Sequence, residues 1–115
     1  LLNPEIVELD KRDKILNIDA LKFAAKQFAH PVELPDYRLS PINGAFASLG
    51  EITVFVGTNE IFLADCRLLG DKLSKQGIRY NYFEYPRMFH DWIIVKQLPQ
   101  TKQVLTYLKN YFEMH

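Results

Sequence analysis

Residues 52 to 85 narrow the folding options of this chain more than any other stretch. Ile52-Thr53-Val54-Phe55-Val56 is a continuous run rich in apolar, β-branched side chains, which suits a strand covered on both faces in a parallel sheet. Leu63 to Gln76 follows, with Ala64, Leu68, Leu69 and Leu73 on one helical face and Gly77 where a C-terminal cap belongs. Arg79 to Tyr85 reads as a second strand. Strand, helix and strand with short connections make a βαβ unit, so the fold class is α/β with a parallel sheet. Two strands do not form a self-sufficient sheet, and no internal repeat completes the core another way. The sheet is therefore expected to be incomplete within this chain.

Around that unit the pattern is simpler. Residues 1 to 18, with a charge cluster from Glu8 to Lys14, read as an extended loop. Asp19 then opens an amphipathic helix running to Ala29, with Leu21, Ala24, Ala25 and Phe28 apolar and Lys22 and Lys26 on the wet side. His30-Pro31 stops it, and Pro31, Pro35 and Pro41 leave residues 31 to 50 as a meandering connector. Pro99 suits a first-turn position and opens a final helix to about Phe112, with Val104, Leu105, Leu108, Tyr111 and Phe112 facing the sheet. The 115 residues thus divide into a loop–helix–loop over 1–50 and a β-α-β-loop-α over 51–115.

Composition excludes several classes of function. Fourteen Lys plus Arg balance fourteen Asp plus Glu, so there is no basic field to attract nucleic acid. The apolar runs fall far short of the roughly 20 residues a membrane helix requires, and Leu1 to Glu5 lacks the features of a signal peptide. Cys66 is the only cysteine, which fits a small buried helix residue in a reduced, cytoplasmic setting. The chain does not begin with Met, as expected where a preceding part has been removed.

The chemistry-bearing residues gather at the strand ends. Tyr85-Pro86-Arg87-Met88-Phe89-His90-Asp91-Trp92 places a histidine in an aromatic loop just after the second strand. The segment Ile52 to Ile61 reads as a buried strand ending in a carboxylate, Glu60. A carboxylate on one strand end can orient a histidine on the next, and histidine as a side-chain type titrates near working pH. The alternative for His90 is plain packing between Phe89 and Trp92. For Glu60 it is a carboxylate favoured by a helix N-terminus. A Ser-His-acid mechanism also needs a nucleophile on a Gly-x-Ser-x-Gly elbow, and no such motif occurs here. Ser40, Ser48 and Ser74 lie in a proline turn, a loop and a helix face.

From about Asn3 to Tyr111 the chain resembles the C-terminal part of an α/β-hydrolase of the hormone-sensitive-lipase-like esterase and lipase group, also called the acetyl esterase group. The resemblance rests on Ser40-Pro41-Ile42, similar to the family's Ser-Pro-Leu turn, and on Val56-Gly57-Thr58-Asn59-Glu60-Ile61, similar to its Val-Gly-Ser-Asp-Glu-Val/Ile turn. It rests most on Tyr85 to Trp92, similar to its Tyr-Pro-Gly-Met-Phe-His-x-Trp loop. Order and spacing match over nearly the whole chain. The resemblance implies that His90 is the general base and that residues 1–50 lie near the cap and substrate entrance. It implies that the serine and oxyanion-hole glycines belong to an N-terminal part absent from these residues. The family often has Asp where this chain has Asn59, so Glu60 is the expected acid, Asp65 the fallback, and Asp91 disfavoured because it adjoins the base. Arg87 stands where the family has Gly. Ile15, Leu16, Phe23 and Phe89 are candidates for the pocket and equally for the core.

Two functions of different class follow. The first is the C-terminal part of a serine carboxylesterase or lipase that hydrolyses small-molecule acyl esters through an acyl-enzyme, with no metal or organic cofactor and no activity from this chain alone. The second is a noncatalytic interaction module descended from a hydrolase. Neither involves nucleic acid or a membrane. In either case an unpaired sheet edge predicts homodimerisation or domain exchange when the chain is alone.

Overall fold

The computed structural model describes residues 3–29, 32–33 and 35–114. The helix stop expected at His30-Pro31 lies outside the described residues. The elements are helices α1 (Ile6–Asp10) and α2 (Ile18–Ala29), strand β1 (Ile52–Gly57), helix α3 (Leu63–Lys75), strand β2 (Tyr80–Tyr85) and helix α4 (Pro99–Met114). Single 3-10 turns occur at Pro41–Asn43 and Trp92–Ile94. β1 and β2 pair in parallel from Ile52 opposite Tyr80 to Gly57 opposite Tyr85. The βαβ unit and its partial sheet are as the apolar periodicity predicts.

α3 ends as its sequence dictates. Gly77 takes φ +67°, a left-handed conformation that costs glycine little. The turn it makes lets Ile78 N–H reach Leu73 C=O at 3.0 Å and Gly77 N–H reach Ser74 C=O at 3.0 Å, a Schellman cap.

The side chains of the pleat alternate between two helical layers. On one face Val56 and Tyr82 pack with Leu63, Ala64 and Cys66 of α3, with Ile61, and with Ile6 and Leu9 of α1. On the other, Phe55 stacks on Phe83 with ring centroids 5.3 Å apart, and Tyr107 of α4 meets both edge-on at 5.7 and 5.3 Å. Burying side chains such as Ile6, Ile61 and Leu73 contributes about 1.5–3 kcal/mol each. At the start of α4 the buried Thr101 hydroxyl donates to Trp92 C=O at 3.1 Å, which ties that helix to the loop carrying His90.

Several expectations are corrected. Residues 1 to 18 are not an extended loop: α1 forms within them, and Ile6 and Leu9 enter the core at i, i+3 spacing. α2 starts at Ile18 because Asn17 Oδ1, not Asp19, caps it by accepting the Ala20 N–H at 2.8 Å. Asp10 Oδ1 accepts the Ile18 N–H at 2.7 Å. The apolar face of α2 is largely uncovered, with Phe28 84% exposed, since a periodic face is buried only where another element meets it. Leu105 and Phe112, expected to face the sheet, are exposed as well, and so is Leu68 of the apolar α3 face. β1 is half-buried from Ile52 to Phe55 and fully buried only at Val56 and Gly57, and it ends at Gly57 rather than Ile61. Glu60 therefore sits in the turn between β1 and α3.

Candidate active site

The two C-terminal strand ends are adjacent in a parallel pair, so the turns that follow them meet. Thr58 N–H donates to Tyr85 C=O and Asn59 N–H to Met88 C=O, each at 3.0 Å. Thr58 Oγ1 accepts the Arg87 N–H at 2.7 Å. At Gly57 the backbones come so close that a Cβ would lie 2.2 Å from Met88 O, leaving room for no other residue. Arg87 and Asp91 both adopt left-handed φ, 63° and 56°. These two kinks fold the segment between them back over β1.

The result is a carboxylate–imidazole pair. Glu60, 6% exposed, accepts the Gly57 N–H on Oε1 at 2.7 Å and holds Oε2 3.0 Å from His90 Nδ1. One oxygen is thus locked by backbone, which fixes the rotation of the carboxyl group and aims the other at the ring. His90 remains open, its side chain 24% exposed. The ring meets Phe62 edge-on at 5.4 Å, while Trp92 packs on Tyr85 at 4.4 Å. His90 Nε2 lies 3.5 Å from Asp91 Oδ2, on the solvent side. With Nδ1 turned to a carboxylate, the neutral ring that donates from Nδ1 leaves Nε2 as a lone-pair base.

Glu60, and not Asp65, is the carboxylate on His90 Nδ1. Asp65 lies in the first turn of α3. Close by, burial and then the Glu60 charge push the Cys66 thiol up to about 11, so it stays protonated at neutral pH. Among the described residues no three His, Cys, Asp or Glu side chains gather as a metal site. Two open clefts, about 470 Å³ beside Arg67 and Tyr82 and about 820 Å³ beside Glu51 and Arg79, lie elsewhere, and His90 lines neither.

A family model described as alpha/beta hydrolase fold matches residues 3–94. The chain belongs to the alpha/beta hydrolase fold family. Solved structures agree on this fold. A Staphylococcus aureus protein assigned as an esterase superposes with a TM-score of 0.85 at 25% identity, over 93% of this chain and 36% of that one. A hormone-sensitive lipase from a metagenome library gives 0.82 at 19% identity over 90% and 35%, and the esterase E25 gives 0.88 at 22% identity over 98% and 36%. The resemblance to hormone-sensitive-lipase-like esterases is thereby borne out, and the chain spans little more than a third of the length of these proteins. No curated protein matches the sequence. No helix among the described residues is long and apolar enough to cross a membrane.

Sequence reasoning misses two contributors to this hydrolase-fold site. Asp13, in the charge cluster of the first eighteen residues, is buried and bonded to the backbone of Ile61 at 2.9 Å. Its signal was an Asp followed by the apolar pair Ile15-Leu16, whose N–H groups both bond to Asp13 Oδ1 at 2.8 and 2.9 Å. Phe62 is the other, and nothing in its spacing distinguishes it from core. Of the pocket candidates, Ile15 and Phe23 are exposed, Leu16 packs against the core cluster and Phe89 is half-buried.

Proposed function

We propose that this chain carries the acid and base of a serine carboxylesterase hydrolysing small acyl esters, with the nucleophilic serine and the oxyanion donors outside these residues. The observation that carries the reading is the contact between Glu60 Oε2 and His90 Nδ1. In this mechanism His90 Nε2 takes the serine proton as the serine oxygen attacks the ester carbonyl. The imidazolium so formed is stabilised by Glu60 and returns the proton to the departing alcohol, leaving an acyl-enzyme. Water, deprotonated by the same nitrogen, then releases the acid and regenerates the serine. An approaching hydroxyl would share its side of the ring with the Asp91 carboxylate.

Ser40 precedes a 3-10 turn, Ser48 is exposed in a loop, and Ser74 on α3 has its Oγ 3.0 Å from the hydroxyl of Tyr80 on β2. None stands on a strand-to-helix elbow. Asn59 does not weigh against catalysis, because the charge next to His90 comes from Glu60.

Fluorophosphonate labelling tests the reading, applied to the 115-residue chain and to the longest polypeptide its reading frame encodes, with intact mass as readout. The expected result is no adduct on the short chain and one on the longer polypeptide, at a serine outside residues 1–115. A stoichiometric adduct at Ser40, Ser48 or Ser74, or none on either polypeptide, would overturn it.

A further inference from the structure

Asp13 is a buried carboxylate whose partners are backbone N–H groups. It is 7% exposed, and its Oδ1 accepts the N–H groups of Ile15 and Leu16 at 2.8 and 2.9 Å. Its Oδ2 accepts the N–H of Ile61 at 2.9 Å, across 48 positions of sequence. Ile61 is wholly buried and follows Glu60 directly, so this bond holds the peptide that carries the Glu60 side chain.

That peptide needs holding. On its N-terminal side, Asn59 N–H is bonded to Met88 C=O in the histidine loop. On its C-terminal side the corresponding anchor is Asp13. Glu60 spans the gap between them and must present Oε1 to Gly57 N–H and Oε2 to His90 together. Removing the Asp13 acceptor would leave the Ile61 N–H buried without a partner, and the turn would open to satisfy it. Attaching residues 3–18 to the core does not require a buried charge, since Ile6 and Leu9 already pack against Ile61 and Leu63.

We infer that Asp13 is a positioning residue for the Glu60–His90 pair, acting through the Ile61 backbone to keep the Glu60 carboxylate aimed at His90 Nδ1. The inference rests on the catalytic reading of that pair. Asp13→Asn is the informative change, because an amide of the same shape can offer an oxygen to one side only and turns an N–H donor toward the other.

The test is imidazole nitrogen NMR on the full 115-residue chain, following the His90 tautomer and the exchange of its Nδ1 proton. In the native chain the ring is expected as the Nδ1–H form, and Glu60→Gln is expected to abolish that signature. Asp13→Asn should reproduce the loss, whereas Leu9→Ala, which loosens the same segment without touching the Ile61 N–H, should retain the signature. A lowered melting temperature in Asp13→Asn with the native His90 signature intact would overturn the positioning role. An unchanged signature in Glu60→Gln would instead remove the pair itself, and with it both readings. Should Asp13→Asn not fold, hydrogen exchange of the native chain decides. The Gly57 and Ile61 amides, each bonded to a side-chain carboxylate, should open together. A Gly57 amide opening about tenfold more readily than Ile61 would overturn the proposal.

Discussion

The two oxygens of Glu60 are divided between backbone and ring: Oε1 takes the Gly57 N–H at 2.7 Å and Oε2 faces His90 Nδ1 at 3.0 Å. A glutamate in this turn would otherwise have three free torsions. The Gly57 bond removes most of that freedom, and burial makes the bond costly to break.

If Glu60 is the acid of the proposed esterase, Glu60→Gln in the longer polypeptide should lower kcat by about 10³- to 10⁴-fold, as expected when a histidine loses its orienting carboxylate. Asp65→Asn should leave kcat little changed. Steady-state hydrolysis of a short-chain nitrophenyl ester measures both, and the reverse ranking would reassign the acid.

Gly57→Ala should be destabilising by about 1–3 kcal/mol or more, because its Cβ would press on Met88 O at 2.2 Å. The opposing atom is backbone and cannot swing aside. Denaturant melts would show the loss, accompanied by broadening of the His90 ring signals as the loop is forced off β1.

Arg87→Gly should have the opposite sign. Arg87 holds φ 63°, at a cost of about 1–2 kcal/mol for an L-residue, partly offset by the extra freedom glycine has when unfolded. A net gain of up to about 1 kcal/mol in unfolding free energy, read as a higher urea midpoint, is expected, with the backbone N–H to Thr58 retained.

The Arg67–Glu84 pair provides a pH test. Both guanidinium contacts are short, 2.7 and 2.8 Å, and the hydrogen-bonded Arg67 holds the Glu84 carboxyl below its usual range. A depressed folded-state pKa contributes stability above the unfolded value of about 4.3 and loses it as pH falls through the folded one. Glu84→Gln should therefore cost about 0.2–1 kcal/mol at pH 7, given the pair's exposure, and almost nothing at pH 2–3.

The isolated chain should self-associate. Phe23, Phe28, Leu68, Leu105 and Phe112 are exposed on three helices, and among the described residues each strand has only one neighbour. Sedimentation velocity should show dimers or larger species. A monodisperse, cooperatively melting monomer would argue that these surfaces are tolerated as they stand.

Local signals foretold the parts of the fold whose physics is local. β-branched Ile52 to Val56, the periodic Ala64 and Leu73, Gly77 in its left-handed cap and Pro99 at a first turn each encode their own conformation. Glu60 and His90 were visible as chemistry, since a carboxylate and an imidazole after successive parallel strands must lie at the same sheet end. Asp13 was hidden because an acidic residue in a run of charges looks solvated, and its partner lies 48 residues away. Which apolar faces are covered was equally hidden: Leu73 and Leu68 share one periodic pattern, yet only Leu73 is buried.

By itself, then, the sequence determined the βαβ order, the cap that ends α3 and the placing of a carboxylate and an imidazole after successive strands, because propensity, periodicity and side-chain chemistry are properties of short segments. Only the tertiary structure decided that Gly57 must be glycine, that Glu60 rather than Asp65 faces His90, and that Asp13 secures the turn between them. Each of those depends on backbones brought within hydrogen-bonding reach across the parallel pair, and such distances are set by packing rather than by neighbours in the chain.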